Sequence, residues 1–242
     1  EIRLSLVGSE MCIRDSSKRE GRSTSNGLVV ARVAGGKAML LELACETDFV
    51  AKAENFVALA EQAADAAFAA GAKDADAALA ATAGGKSVAD SITDQAAILG
   101  EKVELRRVSV IEAPAVDAYL HRTSRDLPPQ VGVLLGYEGS NADVAHDIAV
   151  HIAAFSPQYL TREQVPADVV AKEREIATET ARNEGKPEAA LEKIVEGRVN
   201  GFFKETCLLD QDFAKDNKLS VGKVAEQAGL KLTGFVRFRV GA

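Results

Sequence analysis

Apolar positions along the chain fall into short runs of strand length and longer runs of helical period. Residues 28–33 and 38–43 are strand-like, joined by Gly35-Gly36, whose freedom at positive φ suits a hairpin turn. From Phe49 onward the apolar residues fall at 49, 53, 56, 57, 60, 64, 67 and 68, so the period changes from a strand's to a helix's. An Ala-rich stretch at 75–83 and a helix at 88–99 capped by Ser87 follow. A third strand at 103–111 alternates in its second half, with Val108 and Val110 on one face and Arg107 and Ser109 on the other.

From residue 116 the pattern starts again. A strand-like run at 116–121, a Pro128-Pro129 turn, an apolar run at 131–137, a helix at 142–155 and a last strand at 235–240 predict a second unit of strands and helix. Two charged helices, 167–183 and 188–204, interrupt it. Gly185 is placed to end the first, and Pro187 to open the second at its first position. The fold class is α+β: two consecutive sheet-and-helix subdomains with antiparallel three-stranded sheets, 27–114 and 115–242, and an antiparallel helical hairpin inserted at about 160–208. The Ser-, Arg- and Lys-rich residues 17–26 read as a linker.

The corner at Thr47 to Lys52, between the second strand and the first helix, holds the sharpest candidate chemistry. Thr47 or Asp48 can accept a hydrogen bond from a free N–H of the first helical turn, and Asp48 suits the positive end of the helix dipole. The plainest physical reading makes Asp48 a cap and Phe49 the first core residue of its helix. Phe202 and Phe203 read in the same way, as anchors of the helical hairpin on its own unit ahead of a partner contact.

Composition narrows the function classes. The 242 residues are 47% hydrophobic and 27% charged, ordinary for a globular chain able to bury a sizeable core. A net charge of −7 disfavours nucleic acid as a direct partner. Cys12, Cys45 and Cys207 form no CxxC pair, so no zinc ribbon or disulfide framework is indicated and a reducing, cytoplasmic setting is expected. No apolar run approaches membrane-spanning length.

Other candidates are weak. Ala83-Gly84-Gly85-Lys86-Ser87 lacks the first glycine of a phosphate-binding loop, with Ala80 in its place, and Gly35-Gly36-Lys37 fails likewise, with Ala31 there. His146 and His151 are five apart, a spacing that splays them around a helix and disfavours a shared metal. His121 has no neighbouring nucleophile or paired acid. No catalytic residue, cofactor or metal is assigned. An enzyme with convergent polar groups in a pocket and a purely structural helical scaffold are the competing classes; the first lacks a recognisable nucleophile or cofactor loop, and the second leaves the Asp48-Phe49 corner without a role.

Thr47-Asp48-Phe49-Val50-Ala51-Lys52, after a short apolar strand, resembles the signature of bacterial elongation factor Ts. Further matches lie in order at residues 99–108, 146–154 and 185–187, in Val195-Glu196-Gly197-Arg198, and in Gly234-Phe235-Val236-Arg237-Phe238. Tyr119-Leu120-His121-Arg122 and Asp126-Leu127-Pro128-Pro129 are most like actinobacterial members. The resemblance implies a guanine nucleotide exchange factor for elongation factor Tu, without catalytic chemistry of its own, that promotes GDP release by displacing magnesium and loosening the phosphate loop of its partner. It implies that Thr47, Asp48, Phe49 and Val50 act at the partner's magnesium site and that Leu99 and His121 are further partner contacts. It also implies that the helical hairpin is a homodimer contact in some members. Residues 1–16 do not resemble the family and are expected to be a foreign segment resembling translated sequencing adapter. The small three-helix domain, related to ubiquitin-associated domains, with which members begin is expected to be missing.

Overall fold

A computed structural model describes residues 21–242; the segment 1–16 and the first residues of the 17–26 linker lie outside the described residues. The chain is mixed α and β, with small antiparallel sheets and helices packed on them. It divides by contact into two compact units. Of the described residues, 21–136 with 236–242 form one and 137–235 the other, so that the chain leaves the first within one strand and returns within another.

The first unit is built on β1 (Asn26–Ala34), β2 (Lys37–Cys45) and β5 (Val103–Glu112), in the order β1-β2-β5. Strands β1 and β2 are antiparallel, with Leu28 opposite Leu43 and Ala34 opposite Lys37. The turn between them has φ of 58° at Gly35 and 78° at Gly36, the two positive values that a tight hairpin of matching twist requires. Met39, Leu41, Leu43 and Cys45 of β2 join one core with Phe56, Leu59, Ala60 and Ala63 of the helix α2 (Glu54–Ala70). Ala38 and Leu40, on the opposite face, join a second core with Val29, Leu134 and Phe238. Strand β2 is therefore covered on both faces, which explains an apolar run without polar alternation. Each such buried leucine contributes roughly 1.5–3 kcal/mol, and truncation of Leu41 to Ala costs about 2–5 kcal/mol with the cavity included.

That second core lies beneath a three-stranded sheet in the order β10-β7-β6, made of β6 (Ala115–His121), β7 (Val131–Glu138) and β10 (Lys231–Arg239). Gly132 marks a close approach: a Cβ there would lie 2.6 Å from Val29 Cγ1 and 3.0 Å from Leu40 Cδ2. On the helical side stand α1 (Asp48–Ala51), α2, α3 (Ala75–Ala80) and α4 (Val88–Leu99). The helix expected to start at Phe49 is thus two helices, α1 and α2, separated at Lys52-Ala53. The apolar period ran through the break because Ala53 still packs against the core. Helix α4 has the expected bounds, with Ser87 Oγ accepting from the Asp90 N–H at 3.0 Å.

The register of β2 on β5 shifts between Glu42 and Leu43. Glu42 lies opposite Arg107 and Leu43 opposite Leu105, leaving Arg106 as the extra residue of a bulge. The bulge brings two consecutive arginines onto one buried carboxylate: Arg107 Nε lies 2.6 Å from Glu42 Oε2 and Arg106 Nη1 3.4 Å from Oε1. Arg107 also stacks over the Phe238 ring at 4.4 Å. Glu42 is fully buried, so these partners offset the cost of taking its charge out of water.

The second unit carries α5 (Ala142–Phe155) and the hairpin helices α6 (Ala167–Asn183) and α7 (Glu188–Thr206). Ala177, Val195 and Val199 pack between α6 and α7, with Val170 and Phe203 against them. Gly185 turns the corner at φ 71°. Pro187 is the N-cap of α7, at ψ 138°, and not its first helical residue as the pattern predicted; proline's fixed φ suits either place, and an extended ψ keeps it outside the helix. Strands β8 (Asp212–Phe213) and β9 (Asp216–Ser220) and the helix α8 (Val221–Gln227), which the apolar pattern did not predict, complete the unit.

Candidate functional site

Strand β2 ends at Cys45, and two residues later the chain enters α1. Thr47 is the N-cap: its backbone is extended at ψ 158°, and its Oγ1 accepts from the Val50 N–H at 3.3 Å. Of the two candidate caps, Thr47 takes the role, which leaves Asp48 free to point outward. The Asp48 carboxylate is half-exposed and lies 3.8 Å from Lys52 Nζ, one turn on. Val50 and Ala51 face the core and tie the turn down.

Phe49 does the opposite. Its side chain is 72% exposed, although the residue after it is only 8% exposed. The reading of Phe49 as the first core residue of its helix is thereby corrected. With the helix broken at Lys52-Ala53, the short turn α1 sends Val50 to the core, and Phe49, about 100° away around the axis, lies in solvent. Lys52 Nζ lies 4.5 Å from the Phe49 ring centroid, a cation–π contact over one face.

A second corner lies beside the first. Helix α4 ends at Leu99, Gly100 turns the chain at φ 73°, and Glu101-Lys102 leads into β5. Leu99 is partly buried against the helix-side core, whereas its neighbour Ile98 is 71% exposed. The Glu101 carboxylate accepts from the Thr47 N–H at 3.0 Å through Oε2 and from the Thr47 hydroxyl at 2.6 Å through Oε1. The structure therefore joins Thr47, Asp48, Phe49 and Val50 to the Leu99 end of α4 through Glu101. Sequence reasoning gave Glu101 no role, since a carboxylate 54 residues from its donor leaves no local signal.

Cys45, beneath this corner, donates its thiol to the Thr47 carbonyl at 3.2 Å. Burial pushes that thiol up to about 12, and the charges of Glu101, Glu46 and Asp48 add to the effect, so it is a poor nucleophile.

His121 occupies the last position of β6, away from both corners in the chain. It is exposed, and its Nδ1 lies 3.0 Å from the Tyr119 hydroxyl, which orients the ring. His151, in contrast, is fully buried. Its Nδ1 accepts from the Ala214 N–H at 3.2 Å, so its Nε2–H donates to Gln211 Oε1 at 2.9 Å. Gln211 in turn donates to the Glu205 carbonyl at 2.8 Å, and the Phe155 ring stacks on the imidazole at 4.5 Å. Burial holds the His151 pKa below the ordinary histidine value, and this neutral, doubly bonded ring serves packing.

The glycines before Lys86-Ser87 form a hairpin turn, with φ 60° at Gly84 and 84° at Gly85, between β3 (Thr82–Ala83) and β4 (Lys86–Ser87); Lys86 pairs with Asp94. Among the described residues no group of three His, Cys, Asp or Glu side chains is placed to hold a metal ion, and no helix is long and apolar enough to cross a membrane. The 47–50 turn thus presents an exposed aromatic on a backbone braced by Glu101 and by the burial of Val50 and Ala51.

The family model described as Elongation factor TS matches residues 46–242. The chain is 58% identical over 232 residues to the elongation factor Ts of Micrococcus luteus, across 95% of this chain and 84% of that one. It is 58% identical over 229 residues to that of Clavibacter michiganensis subsp. michiganensis, across 95% and 83%. Against that of an Arthrobacter species the identity is 56% over 233 residues, across 95% and 84%.

Proposed function

The chain belongs to the elongation factor Ts family of translation elongation factors, and from that premise we propose that it is the guanine nucleotide exchange factor for elongation factor Tu, acting in the cytoplasm without catalytic chemistry of its own. The observation that carries the reading is Phe49, 72% exposed on a turn whose backbone is tied to the core on one side and to Glu101 on the other.

In the proposed mechanism Phe49 enters between elements of the GTPase beside its nucleotide site. Asp48 and the rest of the 47–50 turn displace the magnesium ion and loosen the phosphate loop. A bound divalent cation is among the largest local charges in such a site, so its loss weakens nucleotide holding. Leu99, at the end of α4, supports the same contact surface, and His121 engages a separate domain of the partner. Exchange follows from reciprocal coupling. If the bound factor weakens GDP tenfold, about 1.4 kcal/mol, bound GDP weakens the factor equally. The factor therefore speeds exchange without choosing its direction.

Release of labelled GDP from elongation factor Tu tests this. Substoichiometric amounts of the chain are expected to accelerate release in the presence of excess unlabelled nucleotide. Release at the spontaneous rate at every concentration of the chain overturns the reading.

A further inference from the structure

Two corners of the first unit hold each other through a reciprocal pair of carboxylates. Glu101, on the α4–β5 corner, accepts the Thr47 N–H and hydroxyl of the β2–α1 corner at 3.0 and 2.6 Å. Glu46, on the β2–α1 corner, accepts the Lys102 N–H of the other at 2.6 Å. Each corner thus leaves a backbone N–H outside its own ladder or helix, and each is satisfied by the carboxylate of the other. Asn26 adds a third tie, its amide donating to the Glu46 carbonyl at 2.8 Å.

The Thr47 hydroxyl has one proton. By giving it to Glu101, the hydroxyl turns a lone pair toward the Val50 N–H, so Glu101 also fixes the rotamer through which Thr47 caps α1. A helix of four residues has no stability of its own, since isolated helices below about 12–15 residues are marginal. What fixes the direction of Phe49 is therefore the clasp above it and the burial of Val50 and Ala51 below.

We propose that Glu101, with Glu46, is a positioning residue for nucleotide exchange: the paired carboxylates hold the 47–50 turn in one conformation so that Phe49 meets the partner already oriented. This rests on the reading of Phe49 as the inserted residue. The physical reason is pre-organisation, because ordering a free loop on binding is subtracted from the interaction it makes. Hydrogen bonds to a charged acceptor are the stronger kind and suit such a brace. Neither carboxylate needs to touch the partner.

The test uses the full chain with Glu101→Gln, which keeps one acceptor oxygen and presents an N–H₂ group to the second Thr47 donor. Glu46→Ala approaches the clasp from the other corner, should the first variant fold poorly. The first measurement needs no partner: amide hydrogen exchange is expected to speed up by about tenfold or more at Thr47 in Glu101→Gln and at Lys102 in Glu46→Ala, as each amide loses its charge-assisted bond. Unchanged protection at both amides overturns the proposal.

The second measurement is GDP release from elongation factor Tu over a range of concentrations. The rate at saturation is expected to fall about tenfold, with the half-saturating concentration changed less, because contacts outside the turn are kept. In a Phe49→Ala background the same substitution is expected to change the saturated rate less than about twofold, since there is no longer a ring to orient. An undiminished effect in that background identifies a general structural role and overturns the proposal, as does an undiminished saturated rate in the presence of Phe49. If Phe49→Ala alone leaves exchange intact, the reading of Phe49 has failed and the positioning role falls with it, while the amide result still reports whether the clasp exists.

Discussion

Lys52 Nζ lies 4.5 Å from the centroid of the Phe49 ring and 3.8 Å from the Asp48 carboxylate, so the cation bridges the two residues that project from the turn. The contact masks one face of the ring and leaves the rest open. At an exposed site such a pair contributes about 0.5–1 kcal/mol. That is enough to bias the ring toward one orientation and too little to hold it against a partner.

Phe49→Ala is therefore expected to leave the melting temperature within about two degrees of the parent, because little buried surface is lost. Truncation of an aromatic anchor costs at least about 2 kcal/mol of binding, so accelerated GDP release should fall by roughly thirtyfold or more. Parallel melting curves and exchange assays check both. A drop of several degrees with exchange retained would return Phe49 to a packing role.

His121→Ala is expected to shorten the lifetime of the complex with elongation factor Tu, since interface changes act mostly on dissociation rates. Because the Tyr119 hydroxyl orients the ring at 3.0 Å, Tyr119→Phe should act in the same direction and more weakly. Dissociation followed by surface plasmon resonance or fluorescence checks this, and an unchanged lifetime for His121→Ala removes that residue from the interface.

Much of the first unit was legible because its signals are local. The run at 38–43 is apolar throughout since β2 is covered on both faces, and Ser87 announces the start of α4 by a cap that needs only its own next three residues. The strand-to-helix corner was equally plain. Which side of it faces solvent was not: the apolar period ran on through Lys52-Ala53, and only the break between α1 and α2 turns Phe49 outward. The Glu101 clasp and the Glu42 bulge were illegible for a different reason. Their partners are 54 to 65 residues away, and only the register of β2 on β5 brings them together. The small β8–β9 hairpin and α8 escaped because short elements with mixed polarity carry no period to detect.

Arg107→Ala is expected to destabilise the first unit on the order of 2 kcal/mol. It removes the closer of the two cations on a fully buried carboxylate, along with the stacking on Phe238. Arg107 is one-third exposed, so the loss should be smaller than for a fully buried pair. Glu42→Ala in the Arg107→Ala background should cost less than the single changes summed, because the buried charge left with only the more distant Arg106 disappears with Glu42. Urea denaturation of the two single variants and the double variant checks the sign of that coupling.

The buried imidazole of His151 predicts a specific acid sensitivity. Burial lowers its pKa in the folded chain, while in the unfolded chain the group titrates near the ordinary value of about 6.5. Between those two values the unfolded state binds more protons than the folded state, so stability falls as the pH falls. The contribution is fully present above about 6.5 and is lost progressively below it, down to the folded pKa, with a slope of at most about 1.4 kcal/mol per pH unit for one proton. The structural reason is that Nδ1 accepts from the Ala214 N–H; a proton there turns the acceptor into a donor facing a donor, with Phe155 and Phe213 beside the ring. His151→Gln should be less stable at neutral pH and should flatten this part of the pH profile, since glutamine does not titrate. Melting temperatures measured from pH 7.5 to 5 for both proteins check it: a parallel decline in the two would show that carboxylates elsewhere, and not His151, set the acid limb.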